Sequence, residues 1–364
     1  VVHLPLGPAS YDILLGSGLL DDLPDQLTTR CPAARYAIVT DSSVASLHGE
    51  RILVRLTQRH EAFLVTFPAG EWNKTRETWS TLTDQLLTRG LGRDGAVIAL
   101  GGGVVGDVAG FVAATYLRGV PYVQVPTTLL AMIDSSIGGK TGVDTAHGKN
   151  LVGAFHQPRA VVADVDTLGT LPPLHVASGV AEALKHGAIA DARYFGWTES
   201  QSRGIMGRDR DALLALAARS VEIKAAIVAQ DEREQGARAR LNFGHTVAHA
   251  LEAVSGYELL HGEAVAMGMV AEAALGERLG VTASGTRERI AAALARFGLP
   301  IDLPDRLDVD RAIEAIKHDK KARDESVRFA LISGIGESAR ADGDAWTVAV
   351  ADDELHEVFR RMST

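Results

Sequence analysis

The sequence predicts an α/β N-terminal domain on a mostly parallel, doubly wound sheet, followed by an α-helical C-terminal domain. Three observations predict it. Short aliphatic runs of strand length alternate with helical patterns through the first half of the chain. A glycine-rich turn follows one of those runs and opens a helical pattern. From about residue 171 the texture changes to long Ala-rich segments with apolar residues at helical spacing. The boundary is placed there, giving domains at 1–170 and 171–364, with an active site expected in the interdomain cleft, where ligand sites gather.

Taken in order, residues 11–15 read as an outer strand, and 36–41, 62–67, 96–101, 122–127 and 160–165 as buried parallel strands. Each is a β-branched or aliphatic run bounded by turn residues. A helix over 75–89 begins after the Pro68-Ala69-Gly70 loop. In the second half the spacing predicts helices over 174–190, 208–230, 246–254, 263–279, 283–297 and 309–318. Alanine favours the helix and lets neighbouring helices approach closely. Residues 327–333 and 346–350 read as a late hairpin. The sequence contains no internal repeat, low-complexity tract or flexible linker.

Composition excludes several classes. Hydrophobic residues make up 46% and charged residues 23% of the 364, the range of a globular chain. The single cysteine, Cys31, excludes a disulfide framework and a Cys-rich zinc site. A net charge of −9 argues against nucleic acid or a membrane surface as partner. No apolar run reaches the roughly 18 residues a membrane span needs. The N-terminal residues lack the basic and apolar regions of a signal peptide, so a cytoplasmic location is expected.

One count stands apart. The 37 basic residues divide into 29 Arg and 8 Lys, and Asn occurs only at 73, 150 and 242. Lysine is a compact charge that can lose its proton, whereas arginine is a fixed planar fork. Where lysine persists in such a chain, its chemistry is worth examining.

Gly101-Gly102-Gly103-Val104-Val105-Gly106-Asp107 follows the strand at 96–101 in a Rossmann-like arrangement. Glycines there let backbone approach a pyrophosphate at a helix N-terminus, or merely make a tight turn. Asp41 ends an earlier strand, where it can accept from a ribose or cap a helix. Glu71 and Lys74 follow the Pro-Ala-Gly loop. Pro126-Thr127-Thr128 puts hydroxyls at a strand end, and Gly138-Gly139-Lys140 and Gly148-Lys149-Asn150 are backbone-and-ammonium arrangements suited to an anion. Glu182 and Lys185, three apart, share a helix face, either as a surface ion pair or on a buried face. His245 and His249 are four apart on a helix, and His261-Gly262-Glu263 opens the next. Two of these three histidines with Glu182 make a three-ligand zinc set with open positions; spacing leaves open which two. Lys224, Arg238 and the Lys317–Lys321 cluster add cations; the last can equally offset a helix dipole.

Together these segments resemble the 3-dehydroquinate synthase family in order and approximate spacing, over nearly the whole chain from about residue 11 to 336. The resemblance implies NAD and a zinc ion, with cobalt as substitute. It implies a phosphorylated keto acid, 3-deoxy-D-arabino-heptulosonate 7-phosphate, closed to 3-dehydroquinate with loss of phosphate, and a homodimer. Carried over by position, Glu182, His245 and His261 would be the metal ligands. Asp41, Glu71, Lys74, Gly102, Gly103, Asp107, Thr127 and Thr128 would bind NAD, with Lys140 and Lys149 at the nicotinamide and substrate. Lys140, Asn150, Lys224 and Arg238 would hold the carboxylate and ring hydroxyls. Asn242, His249 and Lys320 would surround the phosphate, with Arg118 reaching a neighbouring subunit's site. Asp134 and Lys185 would contact the reacting hydroxyl. Two stretches depart from the family pattern: Asp144-Thr145-Ala146-His147, where many members have Pro-Leu, and the Arg-rich segment 202–211, to which no role is assigned. The competing readings are a sister sugar phosphate cyclase, an amino-dehydroquinate synthase, a metal-dependent polyol dehydrogenase and a non-catalytic NAD-binding protein.

Overall fold

The computed structural model describes residues 1–256, 258–303, 308–320, 327–341 and 345–362, without the side chains of 318–320 and 361–362. The chain divides into two compact units, Val1–Pro172 with Leu213–Ala229, and Pro173–Ala212 with Gln230–Thr364.

The first unit is built on a seven-stranded sheet. Its strands are β1 (Val2–Leu4), β2 (Tyr11–Gly16), β3 (Arg35–Asp41), β4 (Glu61–Phe67), β5 (Ala96–Gly101), β6 (Tyr122–Pro126) and β9 (Ala160–Asp164), in the order β1-β2-β9-β6-β5-β3-β4. All neighbours are parallel except β1, which pairs antiparallel with β2. β5, β6 and β9 are buried along their whole length, which explains their unbroken apolar character. Edge strand β4 alternates instead between buried and more exposed positions.

Alternate residues of one strand enter opposite cores. Ala37, Val39, Val97 and Ala99 pack with Leu82 and Leu86 of the helix Arg76–Thr88 and with Val105, Val108 and Val112 of the helix Gly103–Thr115. Tyr36, Ile38, Ile98 and Leu100 pack on the other face with Leu23 and Leu27 of the helix Leu23–Arg30 and with Ile52 and Leu56 of the helix Glu50–Thr57. This two-faced burial defines a doubly wound sheet. From β3 the chain moves outward to β4, then crosses back to place β5 on the other side of β3. The carboxyl ends of β3 and β5 therefore diverge at a topological switch point, where such sheets bind ligands. Asp41 and Gly101 to Gly103 lie there.

Two features of this unit were not read from the sequence. Residues 140–155, read as anion-binding turns, form an antiparallel hairpin of β7 (Lys140–Thr145) and β8 (Gly148–Phe155). Val143, Val152 and Ala154 pack it against the first core. The strands come so close at Gly153 that an added Cβ would stand 2.1 Å from the Thr141 carbonyl oxygen. Leu213–Ala229, in the half read as helical, belongs to the helix Arg210–Gln230 but groups with the sheet unit. Val221, Ala225 and Val228 supply the reason, sharing a core with Leu4, Tyr11, Ile13 and Val161. His48 is buried and hydrogen-bonded to Thr170 Oγ1 at 3.2 Å.

The second unit is helical. The helix Pro173–Ala190 is buried continuously from Val176 to Ile189, as its nearly all-round apolar sequence requires. Against it lies the antiparallel pair His245–Val254 and His261–Arg278. The helices Ala192–Ser200, Thr286–Ala295, Val309–Lys320 and Asp352–Met362 also belong to this unit. The late hairpin is formed in part: Val327–Phe329 pairs antiparallel with Val348–Val350, whereas Ile332–Gly334 pairs with Glu337–Ser338. The segment 202–211 holds the short helix Ser202–Met206 and starts the next, with Asp209 accepting from the Ala212 amide at 2.9 Å.

Helix contact in the antiparallel pair depends on glycine. A Cβ at Gly268 would stand 2.0 Å from the Gly244 carbonyl oxygen. Gly268→Ala must push the two helices apart, and it is expected to cost about 3 kcal/mol, read as a lowered midpoint in urea unfolding at unchanged slope.

Candidate active site

The residues singled out from the sequence assemble in two sets, one in each unit. In the first unit, Gly102 is the N-cap of the helix Gly103–Thr115, and no side chain caps it. Its N–H groups open at the carboxyl edge of the sheet, beside the end of β6. There the Thr127 amide donates to the Gly101 carbonyl at 2.9 Å and the Thr128 hydroxyl accepts from the Ala131 amide at 3.2 Å. A Cβ at Gly102 would meet Thr128 Cγ2 at 3.1 Å, and one at Gly103 would meet Ser135 Oγ at 3.2 Å. An uncapped helix N-terminus with this little side-chain bulk fits a pyrophosphate. Asp41 makes the capping contact of its two readings: its Oδ1 accepts from the Ser43 and Val44 amides at 2.8 and 2.9 Å.

Beneath this edge lies a charged cluster. Lys74, 4% exposed, donates to Asp107 Oδ2 at 2.5 Å and Asn150 Oδ1 at 2.6 Å. Lys149 pairs with Glu71 at 3.0 Å. Burial alone would lower the Lys74 ammonium's pKa, but Asp107, Glu71 and Asp144 outweigh it and raise it. Burial raises the Asp107 carboxyl and Lys74 draws it partly back, while Glu71 and Asp144 push it further up. Asp144 was missed as a site residue. Its Oδ1 accepts from the Asn150 amide at 2.8 Å, its own amide donates to the Lys74 carbonyl at 2.7 Å, and so it ties the hairpin to the Lys74 loop. Asn150 stands at φ 56°, a left-handed turn that asparagine tolerates.

Elsewhere in this unit, Lys224 donates to both the Oδ1 and the backbone carbonyl of Asp134, each at 2.6 Å. Lys140 is exposed at the head of β7. Arg118 is exposed in a turn where Leu117, Arg118 and Gly119 all take positive φ. Positive φ at the two non-glycine positions is strained backbone.

In the second unit, Glu182 is fully buried on the helix Pro173–Ala190. Lys185 Nζ lies 2.5 Å from its Oε2, and His245 Nε2 and His261 Nε2 lie 3.2 and 3.3 Å from its Oε1. The ligand atoms of Glu182, His245 and His261 all fall within 4.8 Å of one another. His249 is more exposed, its ring centroid 5.5 Å from His245 and 6.5 Å from His261. The other ring nitrogens are anchored, His245 Nδ1 toward the Phe243 carbonyl at 3.3 Å and His261 Nδ1 toward Glu252 at 3.4 Å. Such partners orient imidazoles in metal sites. Glu252 was not read from the sequence, although its place two turns after His245 offered the signal.

Both Glu182 oxygens are buried, Oε2 beside the Lys185 ammonium and Oε1 beside the two imidazoles. Burial raises this carboxyl's pKa, but Lys185, His245 and His261 hold it well below the usual range. Burial and Lys185 lower His245. Burial opposes charge on His261 too, yet Glu182 and Glu252 push it up to about 10. The two carboxylates thus draw positive charge to this point, a proton and a metal ion alike, and a His₂Glu donor set suits zinc or cobalt.

The adjoining 3₁₀ turn Ala237–Asn242 carries buried Arg238 and half-buried Asn242. Asp231 folds the loop before it, accepting from the Gln235, Gly236 and Arg238 amides at 2.9, 2.7 and 3.0 Å. Asn242 donates to Glu234 at 2.7 Å. Lys320 ends the helix Val309–Lys320, and its side chain lies outside the described residues.

Residues 64–178 match the family model for the 3-dehydroquinate synthase N-terminal region, and 179–322 match that for its C-terminal region. The 3-dehydroquinate synthase of Pelobacter propionicus is 46% identical over 339 residues, covering 93% of this chain and 94% of its own. The chain belongs to the 3-dehydroquinate synthase family. Two solved structures extend the comparison. A 2-deoxy-scyllo-inosose synthase complexed with carbaglucose-6-phosphate, NAD⁺ and Co²⁺ has a TM-score of 0.92 at 26% identity, covering 99% of each chain. The 2-epi-5-epi-valiolone synthase of Streptomyces hygroscopicus subsp. jinggangensis, with NAD⁺ and Zn²⁺ bound, has a TM-score of 0.87 at 30% identity, covering 99% of this chain and 98% of its own.

The Lys74–Asp107 pair supplies a direct test of the buried cluster. Lys74→Met leaves Asp107 uncompensated and is expected to cost about 3–5 kcal/mol in urea unfolding. Lys74→Met with Asp107→Leu removes both charges and is expected to recover most of that loss.

Proposed function

We propose that the chain is a 3-dehydroquinate synthase. It converts 3-deoxy-D-arabino-heptulosonate 7-phosphate to 3-dehydroquinate and phosphate, in the shikimate route to aromatic amino acids, by NAD-dependent oxidation, phosphate elimination, reduction and aldol cyclisation. The observation that carries this reading is the 46% identity to a 3-dehydroquinate synthase over 93% of the chain, against 26% and 30% to the two sister cyclases. The convergence of Glu182, His245 and His261 supports it.

In this reading residues 1–170 form the NAD-binding part and 171–364 the metal- and substrate-binding part. Glu182, His245 and His261 hold Zn²⁺, or Co²⁺ in its place. Asp41, Glu71, Lys74, Gly102, Gly103, Asp107, Thr127, Thr128, Lys140 and Lys149 hold NAD. When bound, NAD⁺ supplies a reversible two-electron acceptor and the metal a Lewis acid at the oxygen of the carbon being oxidised. The chain's own residues bind and orient the substrate. Arg238 presents a planar fork suited to the carboxylate, and Lys140, Asn150 and Lys224 serve the carboxylate and ring hydroxyls. Asn242, His249 and Lys320 take the phosphate. Asp134 and Lys185 contact the reacting hydroxyl, and each is already charge-paired, Asp134 with Lys224 and Lys185 with Glu182. Those pairings fix both side chains before substrate arrives. No helix among the described residues is long and apolar enough to cross a membrane. The reading includes a cytoplasmic homodimer, with exposed Arg118 reaching the site of a second copy.

The decisive experiment supplies the heptulosonate phosphate with catalytic NAD⁺. Equimolar phosphate and 3-dehydroquinate are expected, without lasting NADH, and chelation of the metal is expected to abolish turnover. Phosphate release unchanged by removing NAD⁺ overturns the reading; net NADH accumulation on a polyol identifies a dehydrogenase instead. His249→Ala is expected to lower kcat/KM by about 100-fold while zinc content by metal analysis stays near normal. Loss of the zinc would make His249 a ligand.

A further inference from the structure

The two histidines of the Glu/His/His set occupy the same position in their helices. His245 is the first residue of His245–Val254 and His261 the first of His261–Arg278. Each helix returns a buried carboxylate to the start of the other. Glu252, 2% exposed, reaches from the first helix to His261 Nδ1 at 3.4 Å. Glu272, fully buried, reaches from the second helix to the first, where its Oε2 accepts from the Gly244 amide at 2.7 Å and its Oε1 from the Val247 amide at 3.2 Å.

The Gly244 and Val247 amides are two of the orphan donors at a helix N-terminus. In many helices the chain's own N-cap and N3 side chains satisfy such donors. Gly244 has no side chain and takes φ 82°, so this helix carries no cap of its own. Glu272 supplies one from eleven residues beyond His261, about 16 Å along the neighbouring helix. A carboxylate at that end is also favoured by the helix dipole. His245 lies between the two amides Glu272 holds, and its Nδ1 faces the carbonyl of Phe243, the residue before Gly244. The backbone that sets the His245 Cα and the acceptor that orients its ring are therefore anchored together through Glu272.

We propose that Glu272 is a positioning residue for metal binding, acting through the first turn of the His245 helix. The inference rests on the metal assignment above. Position 272 lies within an Ala-rich helical run, where a carboxylate reads from sequence alone as a solvated helix residue.

The test is Co²⁺ binding by the full chain, followed by chelator competition and by the ligand-field absorption bands of the bound ion. Glu272→Gln keeps the shape but can accept only through one atom, so one amide loses its acceptor. It is expected to weaken Co²⁺ affinity about 10-fold and shift the bands, and Glu272→Ala to weaken it about 100-fold. Thr282→Val removes a buried hydrogen bond to the Ile332 carbonyl elsewhere in the unit, 2.6 Å long. It is expected to lower Tm with Co²⁺ affinity and spectrum unchanged, which separates positioning from general destabilisation. If Glu272→Ala does not fold, Glu272→Gln decides. Wild-type affinity and bands in Glu272→Gln overturn the inference, whatever its Tm. Failure of the wild-type chain to bind Co²⁺ overturns instead the metal assignment beneath it.

Discussion

The helical unit is organised around one buried charge. Taking a carboxylate out of water costs several kcal/mol unless positive groups surround it. Glu182 is fully buried, so the helices that pack on it must bring polar partners. Lys185 comes from the same helix one turn on, and His245 and His261 come from the first positions of two others. Those two helices are themselves held by glycine contact at Gly268 and by the carboxylates of Glu252 and Glu272. A charge that needs solvation thereby becomes a donor set for a cation.

The sheet unit meets the same constraint in another form. Lys74 is nearly fully buried, and Asp107, Asn150, Glu71 and Asp144 gather around it and Lys149. Above them the glycine-opened helix offers backbone N–H groups at the point where strand order reverses. Backbone dipoles suit a diphosphate, while charged side chains suit groups that need orientation. The net charge of −9 says nothing of where charges sit: Lys74, Lys185 and Lys224 are all buried, each paired with a carboxylate.

The parallel strands were legible because burial on both faces demands unbroken aliphatic runs, and each run ends at a turn. The hairpin at 140–155 was not. Its exposed face carries Asn150, Leu151, Gly153 and Phe155, and glycine dominates its centre, so no alternation survives to mark it. Its strands are specified instead by contact with the helix Gly103–Thr115, where Gly110 lets Thr141 approach. Asp144 was passed over for the same reason. It sits in a stretch that departs from the family pattern, and its partners Lys74 and Asn150 are remote in sequence.

By itself the sequence determined the alternation of strand and helix, the family, and the residue types that can carry the chemistry. The scarcity of lysine alone pointed to Lys74, Lys140, Lys149, Lys185 and Lys224. Periodicity and composition are local properties and survive in one dimension. Tertiary structure decided which histidines converge on Glu182, that Asp41 caps a turn, that Leu213–Ala229 packs with the sheet, and that Glu252 and Glu272 serve the histidines of each other's helix. Each of these joins groups separated in sequence, and only packing, which brings buried charges within 3 or 4 Å of a partner, selects among the pairings that spacing allows.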